Sequence, residues 1–168
     1  MIIPKSKYCE QDSVVRQIYK DEQNFNRYFE KITNYDKEIV KDADVGKTVQ
    51  TMMAVVSQFY KQAKKISQIL KVTKRNKIDV ENTCRNIFNF VQRYIKYKLE
   101  RGEILRTPNA TWYYGQVAYW QNPDLQINSA DCDCMSIFCA SVLKCLGIDF
   151  GFKITSYTGN LFLDVVII

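Results

Sequence analysis

The chain has 168 residues, 46% of them apolar and 13% aromatic, with a mean hydropathy of −0.28. That is long enough for one domain with a true core and a helical extension, and too aromatic for a disordered chain. The formal net charge of +6 is uneven: residues 1–45 sum to −1, residues 46–107 to +10 and residues 108–168 to −3.

Met1-Ile2-Ile3-Pro4-Lys5 is not followed by the apolar run of a signal peptide, and no apolar run reaches the length of a membrane span. The expectation is a cytosol-like compartment with no membrane span. Asn109-Ala110-Thr111 fits a glycosylation acceptor, a chance match in such a compartment. Of the six cysteines, Cys132, Cys134, Cys139 and Cys145 crowd one helical stretch, and the others are Cys9 and Cys84. This distribution points to reduced thiols rather than disulfides. Cys132 and Cys134 are too close for the usual zinc knuckle, and the chain has no histidine. No metal and no cofactor is expected.

In chain order, residues 1–11 read as an arm. Apolar positions from Val14 to Val40 recur at helical spacing and predict one or two helices across 12–42. Gly46-Lys47-Thr48 invites a nucleotide-binding reading. The P-loop glycine would fall at Lys41 and no strand precedes it, so the motif is rejected. Val49, Met52, Val56, Phe59, Ala63, Ile66 and Leu70 predict a helix over 48–73. Within 61–77 stand Lys61, Lys64, Lys65, Lys71, Lys74, Arg75 and Lys77, with no acid among them. This basic stripe reads either as a solvated helix face or as a contact for nucleic acid or an acidic partner.

Asp79 can cap a helix whose apolar face runs from Val80 to Leu99, with Gly102 as its stop. From 103 to 130 the period disappears. Trp112, Tyr113, Tyr114, Tyr119 and Trp120 crowd this stretch, read as a loop that forms a binding wall, a base-stacking platform or an aromatic cover for the core. Asp131 to Leu146 predicts a helix with Met135, Phe138, Cys139, Val142, Leu143 and Leu146 inward, stopped by Gly147. Ile148–Tyr157 and Leu161–Ile168 then read as strands around a Thr158-Gly159-Asn160 turn, an antiparallel hairpin. The fold class is α+β: a helical N-terminal region, 1–78, then a second unit, 79–168.

Four motifs in that second unit carry a family likeness. They are Tyr94-Ile95-Lys96-Tyr97 at a helix end, Thr107-Pro108 in the lead-in, Ala130-Asp131-Cys132-Asp133 at a helix entry, and Leu146-Gly147-Ile148 running into a strand. Residues 80–168 resemble the transglutaminase-like (papain-like cysteine) domain, especially the versions encoded by phages and prophages. The resemblance implies a truncated core of that type, a cysteine helix packed on a small antiparallel sheet. It also implies acyl transfer or amide hydrolysis by a Cys-His-Asp triad, with Cys132 matching the nucleophile. The best alignment puts Asp164 where the family has its histidine.

An aspartate is a poor neutral-pH base toward a thiol, and its charge opposes thiolate formation. The expectation is therefore a pseudoenzyme with Cys132 as a vestigial nucleophile: a structural or assembly protein made in the host cytoplasm and acting in a phage virion, as a head–tail connector, ring or tail component. Its partners would be other subunits in an oligomer, with residues 61–77 as a candidate nucleic-acid contact. The alternative is an active cysteine hydrolase or acyltransferase whose histidine comes from another chain or from residues outside this sequence.

Overall fold

A computed structural model describes residues 13–30, 37–39, 44–97, 104–115, 130–157 and 160–167. The fold is α+β. Helix α1 (Ser13–Phe25) continues as a 3₁₀ turn, Asn26–Tyr28, and Lys37–Ile39 forms strand β1. The helical reading of 12–42 is thus corrected at its end. Three residues carry little strand signal of their own, and β1 exists because it pairs antiparallel with a distant strand, β4 (Ile104–Arg106), in the register Lys37↔Arg106 and Ile39↔Ile104.

The single helix expected over 48–73 is three elements: α2 (Val45–Phe59), a 3₁₀ turn (Tyr60–Ala63) and α3 (Lys64–Leu70). Asp44 caps α2 by accepting the Lys47 N–H at 2.8 Å. At the 3₁₀ turn the Tyr60 carbonyl accepts the Cys145 thiol at 3.1 Å. The interruption is therefore bonded to a neighbouring helix, a tertiary cause that periodicity does not register. A two-residue hairpin follows, β2 (Thr73–Lys74) and β3 (Lys77–Ile78), with Arg75 and Asn76 at its tip, both at positive φ (52° and 62°).

Asp79 caps α4 (Val80–Tyr94), accepting the Asn82 N–H at 3.1 Å. This helix ends at Tyr94, short of the expected Leu99, which lies outside the described residues along with Gly102.

The stretch 103–130 is not simply a loop, because Pro108–Gly115 is helix α5. Thr107 stands before its first residue and Pro108 occupies the N1 position, where the missing N–H costs nothing. Six of its residues are buried, Pro108 to Trp112 and Gly115. A helix buried on most sides shows no apolar period, and for that reason its sequence does not announce it.

Helix α6 (Cys132–Cys145) is the centre of the molecule. Its Cys134, Phe138, Val142 and Leu143 enter one core cluster with Ala63, Ile66, Ile87, Phe90, Ile95 and Trp112. Its Ile137 and Ala140 enter a second with Met52, Val55, Val56 and Leu105. Both clusters draw on residues from either side of position 78. The inward face expected from the sequence is widened accordingly: Met135, Cys139 and Leu146 are only half-buried, while Cys134, Ile137 and Ala140 are fully buried.

The helix stops in a Schellman motif. Gly147 takes φ +69°, its N–H donates to the Lys144 carbonyl at 3.2 Å, and the Ile148 N–H donates to the Leu143 carbonyl at 3.0 Å. Ile148 belongs to this motif rather than to the strand. The hairpin is β5 (Phe150–Tyr157) with β6 (Asn160–Ile167), in register from Phe150↔Ile167 to Tyr157↔Asn160. Asn160 is thus a strand residue, and Thr158 and Gly159 lie outside the described residues. Both strands pack on α6.

Candidate functional site

The start of α6 is built on Asp131. Its backbone is extended (φ −93°, ψ −173°) and its Oδ1 accepts the Cys134 N–H at 3.1 Å, closing the first turn. Just before it, Ala130 forms a parallel bridge with Tyr97, which brings the end of the α4 segment alongside the helix entry. Asp131 and Asp133 are each only 7% exposed, and Cys132 between them is half-buried. The Cys132 thiol donates to Asp133 Oδ1 at 3.4 Å.

The electrostatics are set by these carboxylates and by one buried cation. Tyr97 has its phenol raised above the usual range, first by burial and then by negative charge at Cys132, Asp131 and Asp133. Arg106 on β4 is 4% exposed. Its Nη1 lies 3.9 Å from Cys134 Sγ, and its guanidinium sits 5.0 Å from the centre of the Tyr114 ring. The Cys134 thiol donates to the Ile104 carbonyl at 3.3 Å. Burial drives Cys134 far above the ordinary thiol range, Asp131 adds to that, and the opposing charge of Arg106 does not offset it. Cys134 is a packed, protonated thiol.

Of the residues singled out in the sequence, Cys132 stands at this helix entry. Asp164 stands on β6 directly across from Lys153, with its side chain outside the described set. Arg106 and Tyr97 join the site from elements that sequence reasoning did not associate with it. Tyr97 carried a signal as the last residue of the Tyr94–Tyr97 motif. Arg106 carried none, because its burial depends on the β1–β4 pairing and on Tyr114.

Trp112 lies in the core, 2% exposed, stacked on Phe29 (4.8 Å between ring centres) and donating from Nε1 to Asn26 Oδ1 at 2.8 Å. Tyr113 and Tyr114 meet edge to face at 5.1 Å, while Tyr119 and Trp120 lie outside the described residues. Asn109 is buried, its Oδ1 accepting the Glu30 N–H at 3.3 Å, so the glycosylation match has no accessible acceptor.

Lys61, Lys64, Lys65, Lys74, Arg75 and Lys77 are exposed and Lys71 is half-buried. Among the described residues, no group of three or more cysteine, aspartate or glutamate side chains is placed to hold a metal ion, and no helix is long and apolar enough to cross a membrane.

Compared with known proteins, the chain matches no family model, no curated protein and no solved structure.

Proposed function

We propose that this chain is a non-catalytic assembly protein built on a degenerate transglutaminase-like frame. The observation that carries the reading is the Cys132–Asp133 hydrogen bond. A cysteine nucleophile of that family needs an imidazole to take its proton. Here the thiol stands between two buried acids and directs its proton at one of them, Asp133, and the chain has no histidine. Losing that proton sets a thiolate beside Asp133, so the arrangement favours the thiol. The position of Cys132 at a helix start, with an α-helix lying on an antiparallel hairpin, is what the frame supplies. The phage-type resemblance of Asp131–Gly147 adds the setting: a connector, ring or tail subunit, made in the host cytoplasm and assembled with other subunits.

The test is the rate of Cys132 alkylation by iodoacetamide against pH, mapped by mass spectrometry on the full chain. The expected profile rises only toward about pH 8.5 or above, the range of an ordinary or hindered thiol. In Asp133→Asn the rise should move to lower pH. A rate already at its plateau near neutral pH would overturn the proposal in favour of a cysteine hydrolase or acyltransferase completed by another chain.

A further inference from the structure

Residues 45–78 contain no aspartate or glutamate, while 61–77 contain seven cations in seventeen positions. The fold turns this composition into a ridge. In the 3₁₀ turn and α3, Ala63, Ile66, Ser67 and Leu70 are buried. Lys61, Lys64, Lys65, Gln68 and Lys71 follow at i, i+3, i+4, i+7 and i+10, which is one face of a helix. The Lys71 ammonium donates to Gln68 Oε1 at 2.9 Å, tying that row together.

The chain then enters the β2–β3 hairpin, where Lys74 pairs directly across from Lys77. Like charges opposite one another in a ladder are unfavourable. At the tip, Arg75 and Asn76 both hold positive φ. Positive φ is the requirement of a type I′ turn, and asparagine and glycine meet it far more easily than arginine. The first acids that follow it in the sequence are Asp79, which feels Lys74 and Arg85, and Glu81, already paired with Arg85 at 2.9 Å.

The hairpin is also held firmly. The Val72 N–H donates to Thr83 Oγ1 at 3.0 Å, and the Asp79 N–H donates to the Val72 carbonyl at 2.9 Å. Asn86 Nδ2 reaches the Leu70 carbonyl at 3.2 Å, closing the end of α3. A strained tip and opposed lysines on a fixed base concentrate positive charge where folding alone gains nothing from it.

We infer that this ridge is a docking surface for the phosphate backbone of nucleic acid, independent of the Cys132 site. The alternatives are less well matched. An anionic membrane surface calls for apolar side chains beside the cations, and among the described residues of 61–77 Ile69 is the one exposed large apolar side chain. Arginines grip carboxylate and phosphate alike in two-pronged fashion, so with six lysines among the seven cations it is the spacing of the charges, not their type, that decides against an acidic protein surface. Laid end to end, the helical and strand rises from Lys61 to the hairpin tip give at most about 30 Å. That reaches no more than about nine base pairs at roughly 3.4 Å each. A two-stranded ribbon fits a major groove, and arginine and asparagine at its tip are the side chains that meet purine edges there.

The test is fluorescence anisotropy of the full chain with a duplex DNA of about 20 base pairs and with its single strand, from low to physiological salt. If four or five phosphates are engaged, log K should fall against log salt with a slope of about −4. A Lys64→Glu/Lys65→Glu/Lys74→Glu variant should lose at least about 30-fold in affinity, and its slope should become shallower by two to three, at roughly 0.9 per phosphate contact. Should the triple variant not fold by circular dichroism, Arg75→Ala and Lys77→Ala, both at exposed positions, carry the same test singly. Lys20→Glu and Lys153→Glu, exposed outside the ridge, should leave binding unchanged. The inference is overturned by a slope near zero, by ridge variants that bind like the parent, or by capture on phosphatidylserine vesicles or polyglutamate with no binding to either DNA.

Discussion

Thr83 holds Val72 by both of its backbone groups: the threonine hydroxyl accepts the Val72 N–H at 3.0 Å and donates toward its carbonyl at 3.4 Å. One fully buried side chain on α4 thereby fixes the root of the basic hairpin. Thr83→Val keeps the shape and removes the hydroxyl, so the Val72 N–H loses its partner while the Val72 carbonyl keeps the Asp79 N–H. The expected cost is about 1–3 kcal/mol, read by urea denaturation. Thr83→Ser, which keeps the hydroxyl, should cost less. Equal losses in the two variants would show that packing, not the hydroxyl, is what Thr83 contributes.

The hairpin tip makes an opposite prediction. Arg75→Asn with Asn76→Gly gives the tip the residues that a type I′ turn prefers. Stability should rise by about 1 kcal/mol, the scale of a side chain held in left-handed backbone. DNA affinity should fall in the same variant. A gain in stability together with unchanged binding would separate Arg75 from the docking surface.

Gly115 is required by its neighbour. A Cβ there would meet Ile95 Cγ2 at 2.5 Å, and the Gly115 carbonyl accepts the Lys96 N–H. Gly115→Ala should cost about 1–3 kcal/mol by overpacking. Ile95→Ala should cost about 2–5 kcal/mol as a core truncation. If the clash is the cause, the double variant is no worse than Ile95→Ala alone, a coupling that thermal unfolding of all four proteins will measure.

The buried thiols predict an alkaline limb. Cys139 is half-buried as a whole residue, but its thiol is desolvated by the packing around it, which pushes it up to about 12 from an unfolded value of 9.0. A thiol whose folded pKa is raised contributes stability that is complete below pH 9.0 and is lost as pH rises toward 12. Cys84 and Cys145 are raised by burial as well and add to the same fall. Cys139→Ala should be less stable near neutral pH, through its lost contacts, yet decline less steeply from about pH 9 to about pH 10.5. An unchanged slope over that range would contradict the burial of this thiol.

The parts of this fold legible in the sequence are those encoded locally. Asp79 and Gly147 sit where the sequence expects a cap and a stop, and each makes the bond its residue type predicts. Alternating apolar residues after Gly147 do form a hairpin. What escaped depends on distant partners. Helix α5 is buried on too many sides to show a period. The break at Tyr60 is bonded to Cys145, and β1 exists only against β4. At the site, Cys132 and its flanking acids are contiguous in sequence, whereas Arg106 reaches the helix entry through strand pairing that no local pattern records.

Because α6 contributes side chains to both hydrophobic clusters at once, neither cluster can open while the other stays whole without exposing one side of the same helix. Its central amides, around Phe138 to Val142, should therefore exchange with solvent only when the entire core comes apart. Their exchange rates then measure global unfolding, while those of the basic hairpin measure only local opening. Helix α6 is thus the element through which the two clusters are tied to open together.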